Sequence, residues 1–331
     1  MIKNNSPVIL SCGEALIDLL AQPMGKDSGM TLNAVVGGSP LNVAIGLARL
    51  GIPSGFLGGI SRDSFGDFLA TAMNRETVAD PYVVRLTAKT ALSLVDQNIE
   101  PPKYSFYGEN SADISYGLSD LPARLSDTIT CINFGSYTLV VEPCGAALRA
   151  LMARESSKRV ISYDINVRPS IEPDMERWRV VVEAAIRHVD IIKASNEDIS
   201  LLYPQMDPAT IVKKWHARGA AIAIITLGSD GVIACSKAGI VQQAATPVTV
   251  VDTVGAGDSF QSAFLASLSM ANVLTKPEIK SISQSCLVQS LQNAAAAAAE
   301  TCRRQGANLP KLSDLPSFHS KGSEDLQQSE Y

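Results

Sequence analysis

The sequence is poor in the residues that build metal centres and disulfide frameworks. It contains only three histidines and six cysteines in 331 residues, and no two of the cysteines form a CxxC pair. Structural zinc sites need clustered Cys and His ligands, so the sequence argues against one. Scattered cysteines in a chain of this length are typical of reduced thiols rather than of a disulfide-stabilised scaffold.

The chain also lacks an excess of positive charge and any long apolar run. Its formal net charge of -5 provides no basic field to hold nucleic acid or an anionic membrane. The most apolar late segment, 291–299, is shorter than the roughly 20 residues of a membrane span. Residues 1–7 lack the charged-then-apolar pattern of a signal peptide. We therefore expect a cytoplasmic protein whose partners are small molecules.

Two common nucleotide-binding motifs are absent. No GxxxxGK[ST] occurs, which excludes a P-loop enzyme, and no GxGxxG follows the first apolar run, which argues against a dinucleotide-dependent oxidoreductase. With 46% hydrophobic and 18% charged residues, the composition is that of an ordinary folded protein. The length suits one large α/β domain or two smaller ones.

Short apolar runs alternate with segments that carry apolar residues at helical spacing. This alternation predicts an α/β fold with a doubly wound, mostly parallel sheet and helices on both faces. Ligands of such sheets bind at the carboxyl ends of the strands. The predicted strands are 8–12, 54–58, 129–134, 160–164, 190–193 and 221–227, and the clearest predicted helices are 41–50, 178–188 and 211–217.

Two segments, 16–36 and 90–107, interrupt the alternation. Both have the pattern of short strands with turns (Pro23, Gly25 and Gly29 in the first) and no intervening helix. We expect them to form one small β-sheet lid on a single domain that spans the chain. Two surface loops are the alternative. The polar residues 322–331 are expected to form a poorly packed tail.

The most informative stretch is 252–258, Asp-Thr-Val-Gly-Ala-Gly-Asp. The alternating run 248–250 predicts a strand before it, and a helix follows it. Bare N–H groups at a helix N-terminus suit phosphate oxygens. A carboxylate at Asp258 makes sense there if it accepts a proton from an attacking hydroxyl during phosphoryl transfer, while helix capping is its alternative role. The residues of the proposed anion hole are Gly255, Ala256 and Gly257.

Two further stretches carry polar groups suited to hydroxyls. Gly37 and Gly38 precede a predicted helix and permit close backbone approach, and Asn42 offers both a donor and an acceptor. In the second stretch, Asn166 and Arg168 follow the strand that ends at Asp164, and Arg168 offers a rigid fork of donors. Ordinary helix initiation and a structural salt bridge are the alternatives.

These motifs resemble the two signatures of phosphofructokinase-B family kinases, which have the ribokinase-like fold. The run 252–265 is similar to the second signature and 37–44 to the first, and the resemblance extends from about Gly13 to Gly306. It implies a carbohydrate kinase that uses ATP and Mg²⁺, with Asp258 as the catalytic base. The segment 13–18 resembles the family's opening strand, whose aspartate, here Asp18, holds sugar hydroxyls.

The resemblance also assigns residues to nucleotide and metal binding. The family's Asn-x-x-Glu motif is matched imperfectly, because Ser195 with Asp198 fits the spacing and Asn196 has no acid three residues later. A strand–turn, a solvated helix start and a plain alanine helix are the alternatives for these segments. The implied nucleotide-binding residues are Lys193, Ser195, Thr226, Gly228, Gly231 and Asn293. The implied water-mediated magnesium neighbours are Glu197 and Asp198, and a potassium site would use Asp252, Val254, Arg304 and Gly306, mostly through carbonyls.

Two short sequence segments indicate which molecule accepts the phosphoryl group. Residues 163–170 resemble the Asp-Pro-Asn-x-Arg-Pro of bacterial fructokinases, with Ile165 in place of the proline, and 106–113, beginning at Phe106, resemble their lid-to-core segment. The resemblance implies fructose as the acceptor. A sibling kinase for 2-keto-3-deoxygluconate, ribose or a nucleoside is the alternative, and a non-catalytic sugar- or nucleotide-sensing protein is a more distant one.

We also expect a homodimer that forms through the lid. An apolar sheet face left in water favours association, because a partner that covers it removes apolar surface from water. Two alternating runs would supply such a face: Leu32, Ala34 and Val36 in one, and Leu92 and Leu94 in the other.

Overall fold

The computed structural model describes residues 8–21, 30–96, 103–316 and 318. The predicted tail 322–331 and the predicted turns at Pro23, Gly25 and Gly29 lie outside the described residues. The described strands are β1 (Ile9–Cys12), β2 (Leu16–Ala21), β3 (Leu32–Gly37), β4 (Ser54–Ser61), β5 (Ala79–Leu86), β6 (Leu92–Asp96), β7 (Lys103–Tyr107), β8 (Cys131–Gly135), β9 (Val160–Asp164), β10 (Ile191–Ser195), β11 (Ile222–Thr226), β12 (Val232–Ser236) and β13 (Gly239–Gln243). The described α-helices are α1 (Ser39–Arg49), α2 (Ser64–Arg75), α3 (Cys144–Glu155), α4 (Met175–Ala185), α5 (Asn196–Leu202), α6 (Pro208–Ala217), α7 (Ala256–Met270), α8 (Lys276–Ile279) and α9 (Gln284–Cys302).

A nine-stranded sheet forms the centre of the molecule, in the order β13-β12-β11-β10-β9-β8-β1-β4-β5. Every neighbouring pair from β11 to β5 is parallel, whereas β12 runs antiparallel to both β11 and β13. The six strands predicted from the alternating apolar runs all lie in the parallel part. The predicted α/β fold class, with a mostly parallel sheet, is therefore confirmed.

Both faces of this sheet are buried, which explains why its strands are continuous apolar runs. Successive residues alternate between two apolar clusters: Leu10 and Ile161 lie in one, and Ile9 and Val160 lie in the other. Residues of α3, α4 and α6 complete the first cluster, and residues of α1, α7 and α9 complete the second. The helices of the second cluster include both helices that begin at the glycine motifs.

The sequence-based reading of the strands was wrong at one point and incomplete at others. Residues 248–250 form no strand, because Pro247 lacks a backbone donor and Val250 is 57% exposed rather than paired. Strand β5 was missed because Pro81 lies within it, and proline is tolerated only at sheet edges, where β5 in fact lies. Strands β12 and β13 were also missed.

A separate small sheet has the order β3-β2-β6-β7. Its central strands β2 and β6 come from the two segments that interrupt the alternation, and they pair in parallel. One face of the sheet carries Ile17 and packs on α1 and α2 through Leu41 and Leu69. Ala34 and Val36 contact the same cluster, so part of the face predicted for a dimer is already covered. Leu32, at 39% exposure, is open.

All six cysteines lie among the described residues and are free. Within the described part of the chain, no helix has the length and apolar character needed to cross a membrane.

Candidate active site

The glycine turn shapes the N-terminus of α7. Gly255 is left-handed (φ +80°), and a Cβ there would lie 2.8 Å from the Cα of Ala307. Both facts require glycine at this position. The Ala256 N–H donates to Thr253 O (3.2 Å), and the helical ladder begins with Ser259 N–H to Gly255 O (2.8 Å). The N–H groups of Gly257 and Asp258 lie between these two bonds, at the positive end of the helix, where they can receive an anion.

Asp258 lies in the first turn of α7 with its carboxylate buried. Ser39 Oγ donates to Oδ1 (2.7 Å), and Asn42 Nδ2 donates to Oδ2 (2.9 Å). Burial raises the pKa of Asp258, and these two hydrogen bonds oppose the rise, as do the charges of Arg168 and Lys193. Because both side-chain partners donate, the site is built for the ionised carboxylate, the form that can accept a proton.

The alternative role of Asp258, helix capping, does not fit this geometry. The N-cap residue of α7 is Gly255, and in the described part of the chain no side chain caps this helix. The oxygens of Asp258 instead bond to two side chains of α1, so the residue joins the two glycine motifs across the site.

Asp18 on β2 is a half-buried carboxylate of the site. Burial raises its pKa to about 6, while a hydrogen bond from Ser93 and the charge of Arg168 lower it and Asp258 raises it further. Gly37 is necessary for this arrangement, since a Cβ there would lie 2.3 Å from Asp18 Oδ2. Gly38 has φ +99°, and a Cβ on it would lie 2.6 Å from Glu14 O. The glycine pair therefore gives Asp18 room and lets α1 begin close to β1.

Arg168 is an exposed residue in the loop after β9. Its charge favours the ionised forms of Asp18 and Asp258, so it faces the carboxylates that the sequence grouped with it. The loop is fixed at two points: Asn166 adopts φ +43°, and Val167 N–H donates to Asp198 Oδ1 (2.7 Å). Arg168 is therefore a cation that the backbone holds beside the site while its head remains accessible.

Asp198 has a structural role that the sequence did not show. Its Oδ2 accepts from Ser195 N–H (2.8 Å), and Ser195 Oγ accepts from Asp198 N–H (3.1 Å), so the two residues form a capping box at the start of α5. Both carboxylate oxygens of Asp198 thus bond to backbone donors. Glu197 beside it is exposed. A role for either residue near magnesium, through water, stays a prediction.

A buried ion pair lies against the glycine turn. Lys193 Nζ is 2.6 Å from Asp164 Oδ2, and a Cβ on Gly257 would lie 3.8 Å from the same Nζ. Burial raises the pKa of Asp164 to about 6, although Lys193 lowers it. Oδ1 of Asp164 has no hydrogen-bond partner among the described residues. A buried unpaired oxygen beside a cation calls for a further partner, and a water molecule or hydrated ion would satisfy it.

The residues expected to contact the nucleotide lie in different parts of the structure. Thr226, Gly228 and Gly231 lie at the carboxyl end of β11, beside the end of β10. Asn293 is buried between helices: its Nδ2 donates to Ser267 Oγ (3.0 Å) on α7. Its expected contact with adenine stays a prediction, because the amide is already engaged in α7–α9 packing.

Three of the four residues predicted to hold potassium are in contact: Asp252, Val254 and Gly306. Asp252 Oδ1 accepts from Val254 N–H (3.0 Å), and Oδ2 accepts from Gly306 N–H (2.8 Å). The side chain of Arg304 turns away to Glu300 and Asp314, which leaves only its backbone near the turn. The described residues contain no group of three or more Asp, Glu, His or Cys that could hold a metal. Backbone carbonyls would therefore have to supply most ligands of such an ion.

On the lid side, Phe106 lies in β7 and its ring makes an edge contact with the ring of Tyr137, with centroids 5.7 Å apart. Tyr137 belongs to the core beneath the large sheet, so Phe106 joins the small sheet to the large one.

Two site residues were not assigned from the sequence. Ser39 donates to Asp258, and Glu14, buried directly after β1, accepts from Ser39 N–H (3.2 Å). The signals were present: Ser39 lies one helical turn before Asn42, and Glu14 follows a buried strand at the ligand-binding edge of the sheet.

The fold and the arrangement of the site are those of a kinase, because a glycine turn at the N-terminus of α7 and the buried carboxylate of Asp258 lie together beside the parallel sheet. The chain belongs to the pfkB family of carbohydrate kinases, whose family model matches residues 7–314. The sequence-based identification of the family is confirmed.

Three individual proteins illustrate the relationship. A fructokinase of Rhizobium leguminosarum bv. trifolii is 36% identical over 281 residues, which cover 85% of each protein. An ATP-dependent 6-phosphofructokinase of Thermoanaerobacterium thermosaccharolyticum is 30% identical over 270 residues, covering 81% of this chain and 83% of the relative. The crystal structure of a Xylella fastidiosa fructokinase with bound ATP superposes with a TM-score of 0.83 at 27% identity, covering 94% of this chain and 97% of the other.

Proposed function

We propose that this chain transfers the γ-phosphoryl group of ATP to the primary hydroxyl of fructose that yields fructose 6-phosphate. The observation that carries the proposal is the placement of Asp258, held by Ser39 and Asn42 in the same helical turn as the anion-binding glycines. The proposed base therefore lies next to the backbone N–H groups that would bind the phosphoryl group, as in-line phosphoryl transfer requires. The Rhizobium and Xylella fructokinases support fructose as the acceptor and ATP as the donor.

The proposed roles follow from these positions. Asp258 takes the proton of the attacking hydroxyl, and the backbone of the 255–257 turn stabilises charge on the transferring phosphoryl group. Lys193, whose Nζ lies against Gly257, adds a cation on the same side. The residues proposed to position the sugar are Asp18, Gly38, Asn42 and Arg168.

Magnesium would be held mainly by the phosphates of ATP, because that ion usually takes only one or two protein carboxylates. The unpaired Oδ1 of Asp164 fits a hydrated ion of this kind, whereas both oxygens of Asp198 already accept backbone hydrogen bonds. When bound, magnesium neutralises charge on the phosphates. Holding and orienting the acceptor are left to the residues of the chain.

We further propose a potassium ion near Asp252 and a homodimer through the small sheet, in a cytoplasmic protein. The bonds from Val254 and Gly306 to Asp252 support the ion site, since they draw two backbone segments together beside the anion hole. Leu32 and Met30 are 39% and 62% exposed, and these apolar side chains support a dimer in which a second copy covers the small sheet. A monomeric mass at micromolar concentration would contradict the dimer.

The test is a coupled-ADP assay on fructose, ribose, 2-keto-3-deoxygluconate and fructose 6-phosphate. The last is included because the Thermoanaerobacterium relative is a 6-phosphofructokinase. We expect the highest kcat/KM with fructose, because a site built on hydroxyl hydrogen bonds discriminates strongly against acceptors that leave its polar groups unpaired. Faster turnover of 2-keto-3-deoxygluconate or fructose 6-phosphate would mean that this compound, and not fructose, is the acceptor. No ADP with any sugar would contradict the kinase proposal.

A further inference from the structure

Glu14 is a buried acid that the proposed mechanism leaves without a role. It follows β1, is 2% exposed and lies at the start of α1. Its Oε1 accepts from Ser39 N–H (3.2 Å), and Ser39 Oγ donates to Asp258 Oδ1 (2.7 Å). One residue, Ser39, therefore joins two buried carboxyl groups through its backbone and its side chain.

The hydrogen bonds around Glu14 indicate which of the two groups carries a proton. Thr138 Oγ1 lies 3.3 Å from Glu14 Oε2 and 3.1 Å from Gly135 O, and a hydroxyl has one proton to donate. A carbonyl oxygen can only accept, so the shorter contact takes that proton. The longer contact, between Thr138 Oγ1 and Glu14 Oε2, is then left without a proton from Thr138, and a protonated Glu14 can supply one. A neutral Glu14 satisfies all of these contacts.

The electrostatic surroundings of Glu14 agree with this proton count. The titratable groups that face it are Asp113, Tyr116, Tyr137, Cys144 and Arg168. Only Arg168 is a cation, and it also acts on Asp18 and Asp258. Burial raises the pKa of Glu14 to about 8, and the charge of Asp113 adds to the rise. The smaller opposing effects come from its backbone hydrogen bond, from Arg168 and from a hydrogen bond with Ser136.

We propose that Glu14 is a positioning residue that must be neutral for the reaction to proceed. As a neutral acid it anchors the first N–H of α1, which holds the Ser39 hydroxyl on Asp258, and it leaves the charge of Arg168 to Asp18, Asp258 and the acceptor. Once ionised, Glu14 places a further buried negative charge beside the base and competes for that one cation. Loss of its proton therefore lowers kcat/KM on the alkaline side.

The first test compares pH profiles and rests on the proposed fructokinase activity. kcat/KM for fructose is measured from about pH 6 to about pH 9.5 for the wild type, for Glu14→Gln, which stays neutral, and for Glu278→Gln, an exposed control on α8. Wild type and control should lose about tenfold between about pH 7 and about pH 9. Glu14→Gln should lose less than about twofold over the same interval. An unchanged alkaline limb in Glu14→Gln would overturn the proposal.

The second test does not depend on activity. Full-length protein with ¹³C-labelled glutamate carboxyls is titrated by NMR, and one signal should change with a midpoint near 8 and be missing from Glu14→Gln. If every glutamate of the wild type titrates below about pH 6, Glu14 is ionised at neutral pH and the inference fails even if fructose is phosphorylated. If the raised midpoint is found and no sugar is turned over, the proposed function fails and the neutral Glu14 stands. The wild-type titration decides the point even if Glu14→Gln does not fold.

Discussion

Asn42 and Asp258 lie 216 positions apart in the sequence, and Asn42 Nδ2 donates a 2.9 Å hydrogen bond to Asp258 Oδ2. The contact joins the helices that begin at the two glycine motifs, α1 and α7, which pack in the same apolar cluster. It gives the turn that carries Asp258 a fixed orientation, because Ser39, in the same helix as Asn42, holds the other carboxylate oxygen. A carboxylate base whose two oxygens are both held in place can face an acceptor hydroxyl without reorganisation.

Asp258→Asn should lower kcat by on the order of 10² to 10⁴ while fructose and ATP remain bound. Asparagine retains the size of aspartate and can still accept one hydrogen bond, but it cannot take the hydroxyl proton. The measurements are kcat, fructose affinity by calorimetry and melting temperature on one preparation. The matched control is Asp207→Asn, at an exposed aspartate that caps α6 through Thr210 N–H (2.9 Å). That variant should lose some stability and keep its kcat. More than about a tenth of wild-type kcat in Asp258→Asn would exclude Asp258 as the base.

Asn42→Asp should move the activity profile toward higher pH. A second carboxylate 2.9 Å from Asp258 Oδ2 would replace a donor with a like charge, which raises the pKa of Asp258 further. Less of the base is then ionised at neutral pH, so kcat should fall there by about tenfold and recover as the pH rises. Asn272→Asp, at an exposed turn after α7, serves as the control. A loss that is equal at every pH would mean that Asn42 acts on the sugar alone.

Gly37→Ala should weaken sugar binding specifically. A Cβ there would lie 2.3 Å from Asp18 Oδ2, so the carboxylate must move from the position in which it faces the site. We expect KM for fructose to rise about tenfold or more, with KM for ATP little changed. Gly117→Ala is the matched control, because its nearest neighbour would be 4.0 Å away. Equal effects on both KM values would indicate a general loss of structure instead.

The strands and single residues of this site were easier to predict from the sequence than the hydrogen bonds that join them. The strands of the parallel sheet were readable because burial on both faces leaves continuous apolar runs, as at Val160–Asp164. Edge strand β5 was not, since Pro81 and its exposed neighbours remove that signal. Asp258 and Asn42 could each be identified from a glycine motif. Their bond could not be predicted, because it depends on how two helices pack 216 positions apart. The hydrogen bond from Val167 N–H to Asp198 could not be predicted either, because it joins a loop to a helix 31 positions away.

Potassium should raise the activity of the wild type and not that of Asp252→Asn. The carboxylate of Asp252 accepts hydrogen bonds from the N–H groups of Val254 and Gly306, and it supplies a negative charge beside the proposed ion. Rates are compared in potassium chloride and tetramethylammonium chloride at equal ionic strength, which separates ion binding from screening. Asp174→Asn, which removes an exposed negative charge at the N-cap of α4, is the control. Equal wild-type rates in the two salts would rule out the ion site.

Replacing Glu14 by Gln should stabilise the protein relative to the wild type as the pH rises. The pKa of Glu14 is near 8 in the folded chain and 4.5 in a solvated glutamate. Between these values the unfolded chain releases the proton and the folded chain retains it, so the folded state binds more protons and wild-type stability falls with pH. The contribution of this group is fully present below about pH 4.5 and is lost by about pH 8.

Glutamine does not titrate, so the melting temperature of Glu14→Gln minus that of the wild type should be larger at about pH 8 than at about pH 5. The underlying change in unfolding free energy is on the order of a few kcal/mol, at about 1.4 kcal/mol per unit of pKa difference. Glu278→Gln, at an exposed position, should follow the wild type at both values. If the difference for Glu14→Gln is the same at both pH values, Glu14 does not retain its proton on folding. The alkaline loss of activity would then need another titrating group.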